Sequence, residues 1–263
     1  MGKNKLKKFS EMETLSCVFQ YPFARLREEG FPLRGRWGSD YFHNDNPIVL
    51  ELGCGKGEYT VGLAARYPDR NYIGLDIKGA RMWNGARQAN DNGMDNVAFL
   101  RTNIELLPHF FAPGEVSEIW ITFPDPQMKK VRKRLTSTRF VNLYRQVCTP
   151  DAVIRLKTDS PFLYQYTRDM LAANDIVPTG DTSDLYAEST LTDLPDGLKD
   201  IRTYYEQQWL SRGLTIKYLG FTIPEADIAN EPETEPEHDT YRSFSRGVIQ
   251  GNVPPPDEAT DKA

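Results

Sequence analysis

The sequence predicts an α/β fold in which a mostly parallel sheet is covered by helices on both faces. Short apolar runs alternate along the chain with longer amphipathic segments, which is typical of strands that alternate with crossover helices. The first apolar run, Val49–Gly53, opens into a glycine-rich turn, and two later runs end at the polar residues Asp76 and Asn103. A chain of 263 residues is long enough for one such domain with a tail at each end.

The elements of this fold follow one another in a regular order. Strands are predicted at Val49–Gly53, Tyr72–Leu75, Val97–Leu100, Ile119–Phe123 and Val153–Leu156. Crossover helices are predicted at Gly57–Tyr67, Lys78–Gly93, Thr138–Cys148 and Pro161–Ala173. Because ligands bind beyond the carboxyl ends of parallel strands, we expect Glu51, Asp76, Asn103, Asp125 and Asp159 to gather along one edge of the sheet.

The glycine turn is the most informative motif. Residues 51–57 read Glu-Leu-Gly-Cys-Gly-Lys-Gly, and such a turn lets a ligand approach the backbone and the N-terminus of the following helix. The spacing disfavours a dinucleotide site, because Glu58 stands where G-x-G-x-x-G needs its third glycine, and it lacks the Gly-Lys-Ser/Thr of a P-loop. The pattern resembles motif I of S-adenosylmethionine-dependent methyltransferases, whose cationic sulfonium tolerates a nearby carboxylate.

Two residues at later strand ends extend the predicted cofactor site. Asp76 follows the second strand, where a carboxylate binds ribose hydroxyls in nucleoside-binding α/β units. Asn103 follows the third strand and can both donate to and accept from an adenine edge. Helix capping after each strand is the alternative interpretation for both residues.

The fourth strand leads into a loop that joins an acid to a run of cations. Residues 122–137 read Thr-Phe-Pro-Asp-Pro-Gln-Met-Lys-Lys-Val-Arg-Lys-Arg-Leu-Thr-Ser, and the two prolines around Asp125 stiffen the loop. The cations are Lys129, Lys130, Arg132, Lys133, Arg134 and Arg139. No acid lies between Lys129 and Arg139, so a solvated helix face balanced by local acids explains the run poorly. An RNA or DNA substrate fits this field better than a small metabolite.

With these residues the chain resembles the bacterial tRNA (guanine-N7-)-methyltransferase family. The resemblance covers roughly residues 45–222 and rests on the Phe-Pro-Asp-Pro loop with its paired lysines, on Lys157-Thr158-Asp159 and on Thr203-x-x-Glu206. It implies a Rossmann-like class I methyltransferase fold with a seven-stranded sheet. It also implies S-adenosylmethionine as cofactor and methyl transfer to N7 of guanosine 46 in the tRNA variable loop.

The resemblance also implies a role for individual residues. The implied cofactor-binding residues are Glu51, Gly53, Gly55, Asp76, Asn103 and Asp125. Asp125 is also the implied catalytic residue, and the implied substrate-binding residues are Lys129, Asp159, Thr203 and Glu206. Guanine N7 already carries a free lone pair, so we expect Asp125 to orient the base and stabilise charge and not to act as a general base.

Several positions depart from the family pattern. Gln127 and Met128 stand where the family loop commonly has Trp and Pro, and Asn103 stands where an acid is common. The histidine that commonly follows the paired lysines is also absent. These departures leave the fold prediction unchanged but take away the loop Trp that would stack and the carboxylate that is common at position 103.

The closing elements of the methyltransferase fold are predicted after residue 174. Asp175–Asp181 and Leu214–Thr222 are the expected antiparallel strands, with a short helical element at Leu198–Arg212 between them. Thr203 and Glu206 share one face of that element at a spacing of three. A capping pair, with Glu206 reaching back to Thr203, is an equally good interpretation of this spacing.

Charge divides the chain into three parts. Residues 224–263 hold ten acids against three cations, so the formal net charge of −5 becomes +2 for residues 1–223. We expect residues 1–44 to form a basic arm and lead-in, residues 45–223 the methyltransferase domain, and residues 224–263 an acidic, Pro-rich and largely disordered tail. A solvated N-terminal tail is the alternative for the basic arm.

Further expectations concern the setting of the protein. The three cysteines lack metal-ligand spacing, and the sequence has no long apolar run. We therefore expect a cytoplasmic protein with no membrane segment and no metal. We expect a monomer or a homodimer, with tRNA as the partner. The alternatives are a methyltransferase acting on another substrate or an RNA-binding scaffold that has lost catalysis.

Overall fold

The computed structural model of the protein describes residues 3–187, 194–195 and 197–241. The strands are β1 Val18–Gln20, β2 Ile48–Leu52, β3 Asn71–Asp76, β4 Val97–Arg101, β5 Val116–Thr122, β6 Cys148–Thr158, β7 Gly180–Thr182 and β8 Lys217–Thr222. The α-helices are α1 Lys3–Met12, α2 Phe23–Glu29, α3 Glu58–Arg66, α4 Gly79–Asp91, α5 Leu107–Phe110, α6 Thr138–Arg145, α7 Pro161–Ala173 and α8 Tyr204–Leu210. A π-helix spans Trp37–Phe42, and 3-10 turns span Ile104–Leu106 and Val131–Lys133.

The strands form one sheet in the order β1-β4-β3-β2-β5-β6-β8-β7. The pairs from β1 to β6 are parallel, and β8 pairs antiparallel with both β6 and β7. The predicted α/β class and the mostly parallel sheet are therefore confirmed. The sheet has eight strands where seven were expected, because Val18–Gln20 pairs with Phe99–Arg101 at the edge.

The register aligns the carboxyl ends of the central strands. Leu52 at the end of β2 is paired with Leu75 of β3 on one side and Ile121 of β5 on the other. Thr122 is paired in turn with Lys157 of β6. The loops that follow β2, β3, β5 and β6 therefore emerge along one edge, where the sheet of a doubly wound fold binds its ligands.

Two apolar cores cover the faces of the sheet. Side chains alternate along β2, so that Leu50 and Leu52 enter one core and Val49 enters the other. The first core extends into residues 1–44, where Trp37 is fully buried, stacks on Phe111 at 5.7 Å and donates from Nε1 to the Phe110 carbonyl at 3.0 Å. The lead-in thus supplies part of the core.

The N-terminal residues also pack against the domain. Helix α1 lies on α4, with Lys8 over the Trp83 ring at 4.3 Å and Glu11 accepting from Trp83 Nε1 at 2.7 Å. Lys7 pairs with Glu11 at 3.7 Å. At least Lys7 and Lys8 of the expected basic arm are therefore engaged with neighbouring side chains.

Residues 224–241, which we call the strap, lie against α6, α7 and the loop after β5. Glu231 accepts from the backbone N–H and the hydroxyl of Thr138, and Asp239 is buried with only 6% of its surface exposed. This part of the expected disordered tail is held because its carboxylates meet unsatisfied N–H groups at the N-termini of α6 and α7. Residues 242–263 of the expected tail lie outside the described residues.

Within the described residues, no helix is long and apolar enough to cross a membrane. The same residues contain no group of three or more His, Cys, Asp or Glu side chains placed to hold a metal ion.

Replacing Trp37 should destabilise the whole domain. We expect Trp37→Ala to lower the free energy of unfolding by about 3–5 kcal/mol, since it leaves a large cavity in the first core. Trp37→Phe should cost less because it keeps the stack on Phe111. Urea denaturation measures both, with Val177→Ala at an 81% exposed site as the control. A Trp37→Ala value within about 0.5 kcal/mol of wild type would contradict this assignment.

Candidate active site

The turn between β2 and α3 is kept open by its glycines. Gly53, Gly55 and Gly57 have φ angles of 74°, 55° and 72°. A Cβ on Gly57 would lie 2.6 Å from the Phe99 ring and 3.2 Å from the Gly85 Cα, so packing requires glycine there. A Cβ on Gly53 would meet no atom within 4 Å. That side of the turn faces open space, where a ligand can reach the backbone.

Glu51 lies beneath this turn. Its Oε2 accepts from the Thr60 backbone N–H at 2.8 Å and from the Thr60 hydroxyl at 2.5 Å, and its Oε1 accepts from the Thr122 hydroxyl at 2.7 Å. Burial raises the pKa of the Glu51 carboxyl to about 7, although these hydrogen bonds oppose the shift. The carboxyl therefore ties the start of α3 to the end of β5, and its direct contact with a cofactor stays a prediction.

Asp76 stands beside the glycine turn at the end of β3. Its Oδ2 accepts from the Gly55 backbone N–H at 2.9 Å, and its Oδ1 accepts from the Lys78 backbone N–H at 2.8 Å. The capping interpretation thus describes contacts that are present. Each oxygen keeps a second lone pair, so ribose binding by the half-buried carboxylate is compatible with these bonds and stays a prediction.

A cavity of about 290 Å³ lies next to Asp76, at the ends of β3 and β4. Asn103 lines it, as do Ile77 and Phe23, whose surfaces are 53% and 51% exposed. Large exposed apolar side chains beside a polar amide are typical of a ligand-binding surface. Sequence reasoning missed Phe23 because it lies in α2, far from any strand end of the predicted sheet.

Asp125 follows β5 on a strained loop. Phe123 and Gln127, on either side of it, both have φ of 49°, a left-handed conformation that costs energy for residues with a side chain. The Gln127 backbone N–H donates to Asp125 Oδ1 at 3.0 Å. The Asp125 carboxylate is exposed, and the loop fixes it on the same edge as the glycine turn.

The basic loop, residues 123–137, has one buried cation at its centre. Arg134 is 1% exposed, donates to the carbonyls of Gln127 and Met128 at 3.3 and 2.8 Å, and contacts the Glu235 carboxylate. Its guanidinium also lies 4.7 Å from the Phe162 ring centroid. Arg134 therefore shapes the loop, although the sequence grouped it with the cations available to a polyanion.

The other cations of the run differ in whether they are paired or exposed to solvent. Arg139 pairs with Glu105 at 2.9 Å and donates to the Arg132 carbonyl. Lys129, Lys130, Arg132 and Lys133 are exposed. These four side chains form the positive surface beside Asp125.

A second, larger cavity of about 370 Å³ opens at Asp125. It is lined by Asp125, Gln127, Met128, Lys129, Lys130, His238, Asp239 and Thr240. Its volume falls in the range of small-ligand pockets. The strap thus contributes to the cavity that contains the predicted catalytic residue, and we call this space the base cavity.

Asp159 lies at the end of β6 and is fully buried. Its Oδ2 accepts from the hydroxyl of Tyr241 at 2.7 Å, and Tyr241 packs edge-on against Trp209 at 5.5 Å. The strap therefore covers this carboxylate. Asp159 is brought to the predicted edge of the sheet, while its contact with a substrate stays a prediction.

Thr203 and Glu206 form a capping box at the start of α8. The Thr203 hydroxyl accepts from the Glu206 N–H at 3.2 Å, and Glu206 Oε2 accepts from the Thr203 N–H at 3.4 Å. Glu206 also pairs with Lys157 at 2.8 Å, and both side chains are fully buried. Burial lowers the pKa of the Lys157 ammonium, and the Glu206 carboxylate opposes this shift. The contacts give both predicted substrate-binding residues a structural role, and their contact with substrate stays a prediction.

Cys54, in the glycine turn, is buried, and burial raises its pKa well above the ordinary thiol range. This environment disfavours the thiolate. Cys54 is therefore poorly suited to act as a nucleophile.

The raised pKa of Glu51 predicts a distinct pH dependence of stability. Because the folded-state pKa of about 7 exceeds the ordinary value of 4.5, the stabilising contribution of the protonated carboxyl is complete below pH 4.5. It is lost as the pH rises through 7. Glu51→Gln mimics the protonated form and should lack this loss. Between pH 5 and pH 8 its stability relative to wild type should improve by on the order of 2–3 kcal/mol.

Denaturant unfolding across this pH range measures the effect of the Glu51→Gln change. Glu13→Gln, at an exposed site, is the matched control and should follow the wild-type profile. Parallel pH profiles for wild type and Glu51→Gln would contradict the raised pKa.

Comparison with known proteins finds similar methyltransferases. Residues 45–219 match a family model described as "Putative methyltransferase". A tRNA (guanine-N(7)-)-methyltransferase of Porphyromonas gingivalis is 60% identical over 246 residues, covering 92% of this chain and 100% of that protein. The protein of the same name from Bacteroides thetaiotaomicron is 54% identical over 251 residues, covering 95% and 98%.

Among solved structures, the crystal structure of the 16S rRNA methyltransferase KamB aligns with a TM-score of 0.54 and 19% sequence identity. The alignment covers 78% of this chain and 95% of KamB. At that identity the likeness concerns the fold alone.

Proposed function

Because the chain belongs to the tRNA (guanine-N(7)-)-methyltransferase family, we propose that it methylates N7 of guanosine 46 in the variable loop of tRNA, with S-adenosylmethionine as the methyl donor. The observation that carries this proposal is the placement of Asp125. This carboxylate stands on a strained, basic loop that leaves β5 directly beside the glycine turn after β2. A tRNA-modifying enzyme of this kind would work in the cytoplasm.

The residues around the glycine turn fit S-adenosylmethionine. Open space at Gly53 lets the methionine part of the cofactor approach the backbone. The Asp76 carboxylate lies where ribose hydroxyls would meet it, and the smaller cavity offers Ile77 and Phe23 to the adenine faces and Asn103 to its edge. When bound, the cofactor supplies an electrophilic methyl group on a positively charged sulfur.

Asp125 then has an electrostatic role. In such a transfer the N7 lone pair would form the new N–C bond as the S–C bond breaks, and the positive charge would pass from sulfur to the purine ring. No proton has to leave the base first, so the chain needs no general base. The Asp125 carboxylate, fixed by the Gln127 N–H, stabilises the charge that develops on the ring or binds the N–H donors of guanine.

The exposed cations of the basic loop would bind the RNA backbone. Lys129 and Lys130 line the base cavity, and Arg132 and Lys133 extend the positive surface from it. Phosphate contacts position the RNA and carry little sequence information. Recognition of guanine therefore falls to the residues of the cavity.

Methyl mapping tests the proposed reaction directly. Purified protein, radiolabelled S-adenosylmethionine and unmodified tRNA should yield label that is cleaved at 7-methylguanosine 46, and a tRNA with adenosine at that position should stay unlabelled. Label on another atom or RNA would overturn the proposed substrate. Tight tRNA and cofactor binding without transfer would indicate a scaffold.

Removing the charge of Asp125 should impair the chemical step. We expect Asp125→Asn to lower the single-turnover rate constant by about 100-fold, since the amide keeps an acceptor for the Gln127 N–H but cannot stabilise positive charge. Single-turnover methylation at saturating tRNA measures the change. Asp95→Asn, at an exposed site after α4, is the control. Equal rates for Asp125→Asn and wild type would remove Asp125 from the mechanism.

Removing a cation of the basic loop should change the salt dependence of tRNA binding. We expect Lys129→Ala to weaken binding to all tRNAs and to reduce the slope of log Kobs against log salt by about 0.7–0.9. Binding titrations at several salt concentrations measure the slope. Arg66→Ala, which removes one charge at the far end of α3, should leave it unchanged. A Lys129→Ala slope equal to that of wild type would show that Lys129 binds no phosphate.

A further inference from the structure

The strap forms one wall of the base cavity. His238, Asp239 and Thr240 line this space together with Asp125 and Lys129 of the basic loop. The two sets of residues come from segments more than a hundred positions apart in the chain. The cavity therefore exists only where the strap lies against the loop.

Buried polar contacts fix the strap in this place. Asp239 Oδ2 accepts from the Ser160 hydroxyl at 2.5 Å, and its Oδ1 accepts from the Phe162 N–H at 3.0 Å. The Asp239 N–H contacts the Met128 sulfur at 3.2 Å. A carboxylate buried at the N-terminus of a helix is costly to remove from its partners. The wall is thus a fixed part of the fold.

Further contacts join the strap to the same elements. Glu231 Oε2 accepts from the Tyr166 hydroxyl at 2.5 Å, and Glu235 contacts Arg134 inside the basic loop. The Asn174 amide exchanges hydrogen bonds with the backbone of Asn230. The strap and the loop that carries Asp125 therefore share partners and should move as one unit.

His238 differs in kind from the other residues that line the base cavity. Among the described residues that line the base cavity, His238 alone carries an aromatic ring. The ring packs edge-on against the buried Phe162 at 5.3 Å and 85°, while 47% of the side chain stays exposed. The imidazole Nε2 also lies 4.0 Å from Glu235 Oε2, so the ring is held by Phe162 and Glu235 while it lines the cavity.

We propose that His238 is a substrate-binding residue that stacks on the target guanine in the base cavity. The inference rests on the proposed function. Bases of single-stranded RNA loops bind by stacking on aromatic side chains, histidine included. A purine base between the imidazole and the basic loop would place its N–H donors within reach of Asp125. The backbone phosphates next to that nucleotide would then lie near Lys129 and Lys130.

Steady-state kinetics of the full chain test this role. We expect His238→Ala to lower kcat/KM for tRNA about tenfold, mainly through KM, and to leave the affinity for S-adenosylmethionine unchanged. His238→Phe keeps a stacking ring and should restore most of the loss. His43→Asn is the control, because His43 is exposed at the end of the π-helix and asparagine tolerates its left-handed backbone.

Three results would overturn the inference. These are wild-type kinetics for His238→Ala, an equal loss for His238→Ala and His238→Phe, and a loss confined to the affinity for S-adenosylmethionine. If the wild-type chain methylates no tRNA, the proposed function fails. The affinity for tRNA then tests the role of His238 by itself. Equal Kd values for wild type and His238→Ala would then overturn the role of His238.

Discussion

The buried carboxyl of Glu51 is the contact on which the arrangement of the site depends. It accepts from Thr60 at the start of α3 and from Thr122 at the end of β5, so it joins the glycine turn to the strand that leads to Asp125. Desolvation opposes its ionised form, and the hydrogen bonds compensate for the burial. Loss of this contact would remove the side-chain link between the start of α3 and the end of β5, beside the strand pairing that already sets their register.

The strap and the basic loop extend this arrangement outward from the sheet. Arg134 draws the loop inward by donating to the Gln127 and Met128 carbonyls, and it contacts Glu235 of the strap. Asp239 then ties the strap to the N-terminus of α7. Gln127 and Met128, where the loop departs from the family pattern, both line the base cavity together with His238. An aromatic ring reaches this cavity from the strap.

Most of the fold could be predicted from the sequence because its signals are local. An apolar strand, a glycine turn and an amphipathic helix can each be recognised from a few consecutive residues, and the parallel order follows from their alternation. Strand β1 could not be predicted, since Val18–Gln20 is only three residues long and becomes a strand by pairing with β4. The strap could not be predicted either, because an acidic, Pro-rich composition predicts disorder and its partners lie elsewhere in the chain.

For the site, the sequence could predict the positions of the candidate residues, whereas their contacts with ligands stay predictions. Asp76, Asn103, Asp125 and Asp159 follow their strands and meet along one edge, as the topology requires. Sequence alone could not separate the buried Arg134 from its exposed neighbours, because burial is set by Glu235 and Phe162. It also could not decide between a capping pair and a substrate contact at Thr203 and Glu206, since both interpretations use the same spacing.

A crystal structure of the chain with S-adenosylhomocysteine and tRNA would test the central claim most directly, namely that turn, loop and strap form one site for a guanine base. We predict that the target guanine occupies the base cavity between Asp125 and His238, with N7 directed at the sulfur of the bound cofactor. A guanine bound elsewhere, or one that turns N7 away from the sulfur, would contradict the account.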